Sequence, residues 1–155
     1  MELSLLDALE KETREKENVA RNAQEILPHL LGAVQVLLRT LNGFLADVLS
    51  KGLATVEYDK TRLEPELWNT VFFPVLKIHI RKQVVMIVPY GPVMRSRCRV
   101  DMSCGLRKYF MFWDGQGNAA ENWTIKPSEN LTEAPIALAK ESFDQALETL
   151  IGLRN

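Results

Sequence analysis

The chain has 155 residues, 46% of them hydrophobic and 25% charged, with a formal net charge of −1. That is enough chain for one domain with a real core, and the composition excludes a disordered or strongly polyionic protein. No run of about 18 apolar residues occurs, which excludes a membrane-spanning helix; the most apolar stretch, residues 26–49, is interrupted by Pro28, His29, Gln35, Arg39, Asn42 and Asp47.

Residues 4–27 have a helical but strongly polar pattern, with seven charges in the eight positions 10–17. Glu10 with Arg14 and Glu12 with Lys16 place opposite signs four apart, which supports a solvated helix. A coiled-coil seam through Leu6, Leu9, Thr13, Lys16, Ala20, Ala23 and Leu27 is the sharper reading, weakened by the two polar residues at its centre. The same opening lacks a basic region ahead of an apolar stretch, so it predicts no secretory signal and a cytoplasmic protein. There Cys98 and Cys104 are expected to stay reduced, and Asn122-Trp-Thr and Asn130-Leu-Thr read as chance matches to the glycosylation pattern.

Pro28 suits the first turn of a new helix over residues 28–51. Leu30, Leu31, Val34, Leu37, Leu38, Leu41, Phe44, Leu45, Val48 and Leu49 recur at three- and four-residue steps, and Gly52 supplies a C-terminal stop. The apolar face is broad enough to suggest burial on two sides: the sheet on one, the first helix or a second subunit on the other. Residues 56–67 read as a polar connector. The period then changes to two, giving strands near 75–80 and 84–88, a turn at Arg81-Lys82-Gln83 and a break at Tyr90-Gly91-Pro92. Over residues 95–104, Arg95, Arg97, Arg99, Asp101 and Ser103 share one face, with Cys98, Val100, Met102 and Cys104 on the other. A fourth strand follows at 108–114, hairpin-loop chemistry at 114–118 and a short fifth strand around Trp123 and Ile125. The last helix is expected to start near Pro135, entered from Thr132, with Ile136, Leu138, Phe143, Leu147, Leu150 and Ile151 as its stripe.

These elements predict a single α+β domain over residues 1–155. It would be two-layered, with a helical part at 1–54, a four- to five-stranded antiparallel meander at 70–127 and a C-terminal helix at 133–153.

Charge is segregated along the chain. Between residues 77 and 108 the basic side chains Lys77, Arg81, Lys82, Arg95, Arg97, Arg99, Arg107 and Lys108 face the single acid Asp101, a net of +7 that leaves −8 elsewhere. Three roles fit such a strip. A solvent-facing row of Arg95, Arg97 and Arg99, with Tyr90, Tyr109, Phe110, Phe112 and Trp113 near by, is the pattern of a nucleic-acid surface. It also suits an acidic partner protein or a second copy, or it only keeps a half-exposed sheet in solution.

Catalytic and metal patterns are poor. His29 and His79 lie on different elements, Cys98 and Cys104 are six apart, and no spacing supplies about four zinc ligands. His79 falls on the outer parity and both cysteines on the inner, which separates any Cys–His pair. Gly115-Gln-Gly117 is too short for a phosphate loop. The sequence therefore predicts a non-enzymatic, homodimeric interaction or assembly module without a cofactor or a membrane partner. Nucleic-acid binding is the alternative, and a small-molecule pocket lined by Met102, Met111, Trp113 and Trp123 a second.

Overall fold

The computed structural model describes residues 4–62, 72–94, 97–127 and 134–153. The fold is α+β. Helix α1 (Leu5–Phe44) and the short α2 (Ala46–Ser50) lead into a seven-stranded antiparallel sheet, and α3 (Lys140–Leu150) closes the chain. The strands are β1 (Ala54–Thr61), β2 (Phe73–Ile80), β3 (Gln83–Met94), β4 (Arg97–Cys104), β5 (Arg107–Trp113), β6 (Trp123–Lys126) and β7 (Ile136–Ala137). They pair in sequence order, so the sheet is one uninterrupted meander with β1 and β7 at its edges.

The expectation of two N-terminal helices separated at Pro28 is corrected: α1 runs straight through that residue for 40 residues. Ser4 caps its start, accepting a hydrogen bond from the Asp7 N–H at 3.1 Å. Proline forfeits one backbone bond and crowds the carbonyl four residues back. Here that penalty is outweighed by the burial just beyond it, where Leu30, Val34, Leu37, Leu38, Leu41 and Leu45 are all at most 1% exposed. Each such side chain contributes about 1.5–3 kcal/mol on leaving water.

That broad helical face is covered by the chain itself. It packs in one cluster with the inward row of the sheet (Leu76, Ile78, Val85, Ile87, Cys98, Val100, Met102, Met111, Trp113, Trp123 and Ile125) and with Phe143, Ala146, Leu147 and Leu150 of α3. The surplus apolar area expected to need a second subunit is therefore used internally. What stays uncovered is the other half of α1, where residues 4–18 are exposed throughout.

The sheet exceeds the expected four or five strands at both ends. Residues 54–61, which include the first part of the expected connector 56–67, form β1 and pair with β2 from Ala54↔Ile80 to Thr61↔Phe73. At the other edge Ile136 and Ala137 pair with Ile125 and Thr124 as β7, so α3 begins at Lys140 rather than near Pro135. The Ser142 hydroxyl accepts from the Ala139 N–H at 2.9 Å and fixes that start. Tyr90-Gly91-Pro92 does not end β3. The strand continues to Met94 through register shifts between Pro89 and Gly91 and between Pro92 and Met94, where Gly and Pro mark bulges rather than a stop. The expected entry residue Thr132 and the connector residues 63–67 lie outside the described residues. No helix among the described residues is long and apolar enough to cross a membrane.

Candidate functional site

The described members of the basic set singled out in the sequence do not form one continuous surface. Lys77 sits on the sheet face turned away from the helices and reaches two acids of the neighbouring strand β1, Glu57 at 3.6 Å and Asp59 at 3.4 Å. Asp59 also accepts from the Lys60 N–H at 2.8 Å. That backbone hydrogen bond, with Lys77 beside it, holds the Asp59 carboxyl below its ordinary pKa. Because β1 was read as a connector, these partners of Lys77 were missed.

Arg81 and Arg107 are spent on α3. The Arg81 guanidinium donates to the Ile151 carbonyl at 3.3 Å and that of Arg107 to the Thr149 carbonyl at 2.9 Å. The last turn of a helix leaves carbonyls without partners and carries partial negative charge, so two guanidinium groups there act as caps. Lys82 and Lys108 are exposed, one in the β2–β3 turn and the other at the start of β5.

The arginine row itself departs most from the sequence reading. Arg95 lies outside the described residues, and Arg97 is placed only as the first residue of β4. Arg99 points away from the helices as alternation demands, yet is only 8% exposed. Its guanidinium makes a two-pronged ion pair with Asp101, Nε to Oδ1 at 2.8 Å and Nη2 to Oδ2 at 3.2 Å. It stacks 3.6 Å from the Tyr90 ring centroid and 5.1 Å from that of Phe110. A planar guanidinium suits both contacts at once. The expectation of a solvent-facing Arg99 is therefore corrected: it is the buried centre of an aromatic and carboxylate cradle. Lys126 repeats the theme, 4% exposed, with its ammonium 5.0 Å from the Phe112 ring.

The residues named for a small-molecule pocket are packed solid. Met102, Met111 and Trp123 are fully buried and Trp113 nearly so. The Trp113 indole donates to the Gly117 carbonyl at 2.7 Å, tying the β5–β6 loop down. Trp123 Nε1 and Asn42 Oδ1 are buried without a hydrogen-bond partner among the described residues. Among the grooves of the described surface is a shallow one of about 340 Å³ between α1 and the sheet edge, lined by Gln35, Leu38, Arg39, Tyr58 and Pro74.

Cys98 is buried against the helices, and loss of solvation pushes its thiol up to about 12. His79 is exposed on the opposite face. Among the described residues no three His, Cys, Asp or Glu side chains gather as a metal site requires. Searches against protein-family models, curated proteins and solved structures find no match to this chain.

Proposed function

We propose that this chain is a non-enzymatic interaction or assembly module that pairs with a second copy through the N-terminal half of α1. The observation that supports this is the uncovered arm. Leu5, Leu6 and Leu9 are 76, 64 and 52% exposed at its tip, while farther along the same helix Leu27, Leu30, Leu37, Leu38 and Leu41 are buried. The arm needs no partner to be helical, because it propagates from an anchored half and carries the Glu12–Lys16 pair at 3.0 Å. Its leucines do gain from one. Charges of both signs along it, Asp7, Glu10, Glu12, Glu15 and Glu17 against Lys11, Arg14 and Lys16, let two arms meet without bulk repulsion. With Thr13 and Lys16 in the seam, apolar contact is confined to the tip, so association on the order of micromolar is expected.

Nucleic-acid binding has less support. Arg99 is already paired and stacked, Lys77 is bridged to acids, and Arg81 and Arg107 are committed to α3. The test is light scattering of the full chain across micromolar concentrations, beside the variant L5S/L6S/L9S. The reading expects a mass that rises towards two chains in the wild type and stays at one in the variant. A single-chain mass for the wild type throughout would overturn it.

A further inference from the structure

Three Gly–Leu pairs occur in the chain in places far apart in sequence: Gly52-Leu53, Gly105-Leu106 and Gly152-Leu153. In each the glycine adopts a positive φ, 71°, 62° and 85° respectively, and the leucine is turned into solvent, 64, 102 and 60% exposed. The fold brings all three to one end of the molecule. Leu53 enters β1 at Ala54, opposite Ile80 and next to the β2–β3 turn. Leu106 is the tip of the β4–β5 hairpin, which in a meander lies at the same end as the β2–β3 turn. Arg81, in the first of those turns, and Arg107, just after the second, bond the Ile151 and Thr149 carbonyls at the end of α3, which places Gly152 and Leu153 beside them. Exposed Lys51, Lys82 and Lys108 join the two arginines at this end, and the acids nearest the three leucines along the chain are Glu57, Asp101 and Glu148.

Local structure explains part of this. Leu53 donates to the Val48 carbonyl and Gly52 to that of Leu49; Leu153 and Gly152 repeat the pattern with Glu148 and Thr149. Both helix ends are thus Schellman motifs, which require the glycine and favour an apolar residue after it. That contact leaves most of each leucine in water, and it does not apply to Leu106. A two-residue hairpin requires only Gly105, and any polar residue would serve after it. A fully exposed leucine at the tip of a hairpin, at the same end of the molecule as two more and with five cations on the adjoining turns, strand start and helix end, fits a surface that is anionic outside and apolar just beneath.

We propose that this end of the molecule docks onto an anionic phospholipid bilayer. Leu53, Leu106 and Leu153 enter the headgroup boundary, and Lys51, Lys82 and Lys108 meet the lipid phosphates and carboxylates. No hydropathy window reveals such a surface, because each tip supplies one leucine. The site is at the opposite pole from the α1 arm and does not depend on it.

The experiment is co-sedimentation of the full chain with phosphatidylcholine vesicles and with vesicles in which one lipid in four is phosphatidylserine, over a range of salt. Binding to the anionic vesicles only, weakening as salt rises, is the expected result. L106S should lower that affinity about tenfold, and K82E or K108E should each lower it about fivefold or more. All three side chains are exposed, so unchanged circular dichroism will show the variants folded. No sedimentation with anionic vesicles, or binding indifferent to L106S, overturns the proposal. So does a loss of self-association in L106S without vesicles, which would assign the leucines to a contact between copies.

Discussion

Arg81 and Lys82 form a two-residue turn in which both non-glycine residues have positive φ, 52° and 62°. The twist of the hairpin demands this, and a side chain there costs roughly 1–2 kcal/mol relative to glycine. K82G is therefore expected to raise the melting temperature by about 2–8 °C. G105A should lower it by a similar amount, since open space surrounds the added methyl and only its φ of 62° is at issue. Differential scanning calorimetry of the pair checks both signs. At Arg99 a different ranking is expected. D101A leaves a buried guanidinium short of its anion and R99M strands the Asp101 carboxylate, so each should cost about 3–5 kcal/mol in urea titration, whereas the double variant R99M/D101A removes both charges together and should cost far less. Replacing Arg95, Arg97 and Arg99 together would thus disturb the fold and confuse a binding test, which Lys82 and Lys108 serve better. Cys98 supplies a pH dependence. Above an ordinary value of 9.0 the unfolded thiol ionises while the native one keeps its proton up to about 12. Its contribution is complete below pH 9 and lost as pH rises through that interval. The urea midpoint of the wild type should accordingly fall more between pH 8 and pH 10.5 than that of C98V. A parallel drop in the two proteins would contradict the assignment.

At the scale of elements, Pro28 is the clearest lever. It is exposed inside α1, so P28A removes the proline penalty without removing buried contacts. A gain of roughly 1–3 kcal/mol in urea titration is expected, with more helical signal in circular dichroism. No gain would mean that the anchored half already absorbs the missing bond. The same residue shows where the sequence misleads. Proline in a first turn and proline inside a long helix are compatible with the same local pattern, and only the packing of Leu27 on one side and Leu30 on the other decides. Strand β1 was misread for a related reason. As an edge strand it has one face turned to water, with Glu57 and Asp59 alternating with Val56 and Tyr58 (a short and weak period), and its charges pair with Lys77 across the ladder. β2 and β4 are legible because they lie inside the sheet, where a buried face enforces alternation, and β5 because its run Tyr109 to Trp113 is apolar on both faces. Strand β7 is two residues long and carries no period at all.

At the scale of the whole molecule, charge segregation was legible in the sequence but its purpose was not. A count of cations does not distinguish one that caps a helix (Arg81, Arg107), one that answers a neighbouring strand (Lys77) and one sealed between rings (Arg99) from one that faces water (Lys82, Lys108). Those roles follow from cross-strand and helix-end geometry, and they dissolve the basic face as a unit. Two surfaces that the fold leaves uncovered among the described residues are the α1 arm and the Gly–Leu end, at opposite poles. Hydrogen exchange of the arm amides, residues 5–25, at low and high protein concentration tests most directly whether the arm is a contact element. A lone helical arm frays and exchanges quickly, whereas a paired one is protected. The account predicts protection that grows with concentration and disappears in L5S/L6S/L9S. Fast exchange of the arm at every concentration, beside a protected core, would contradict it.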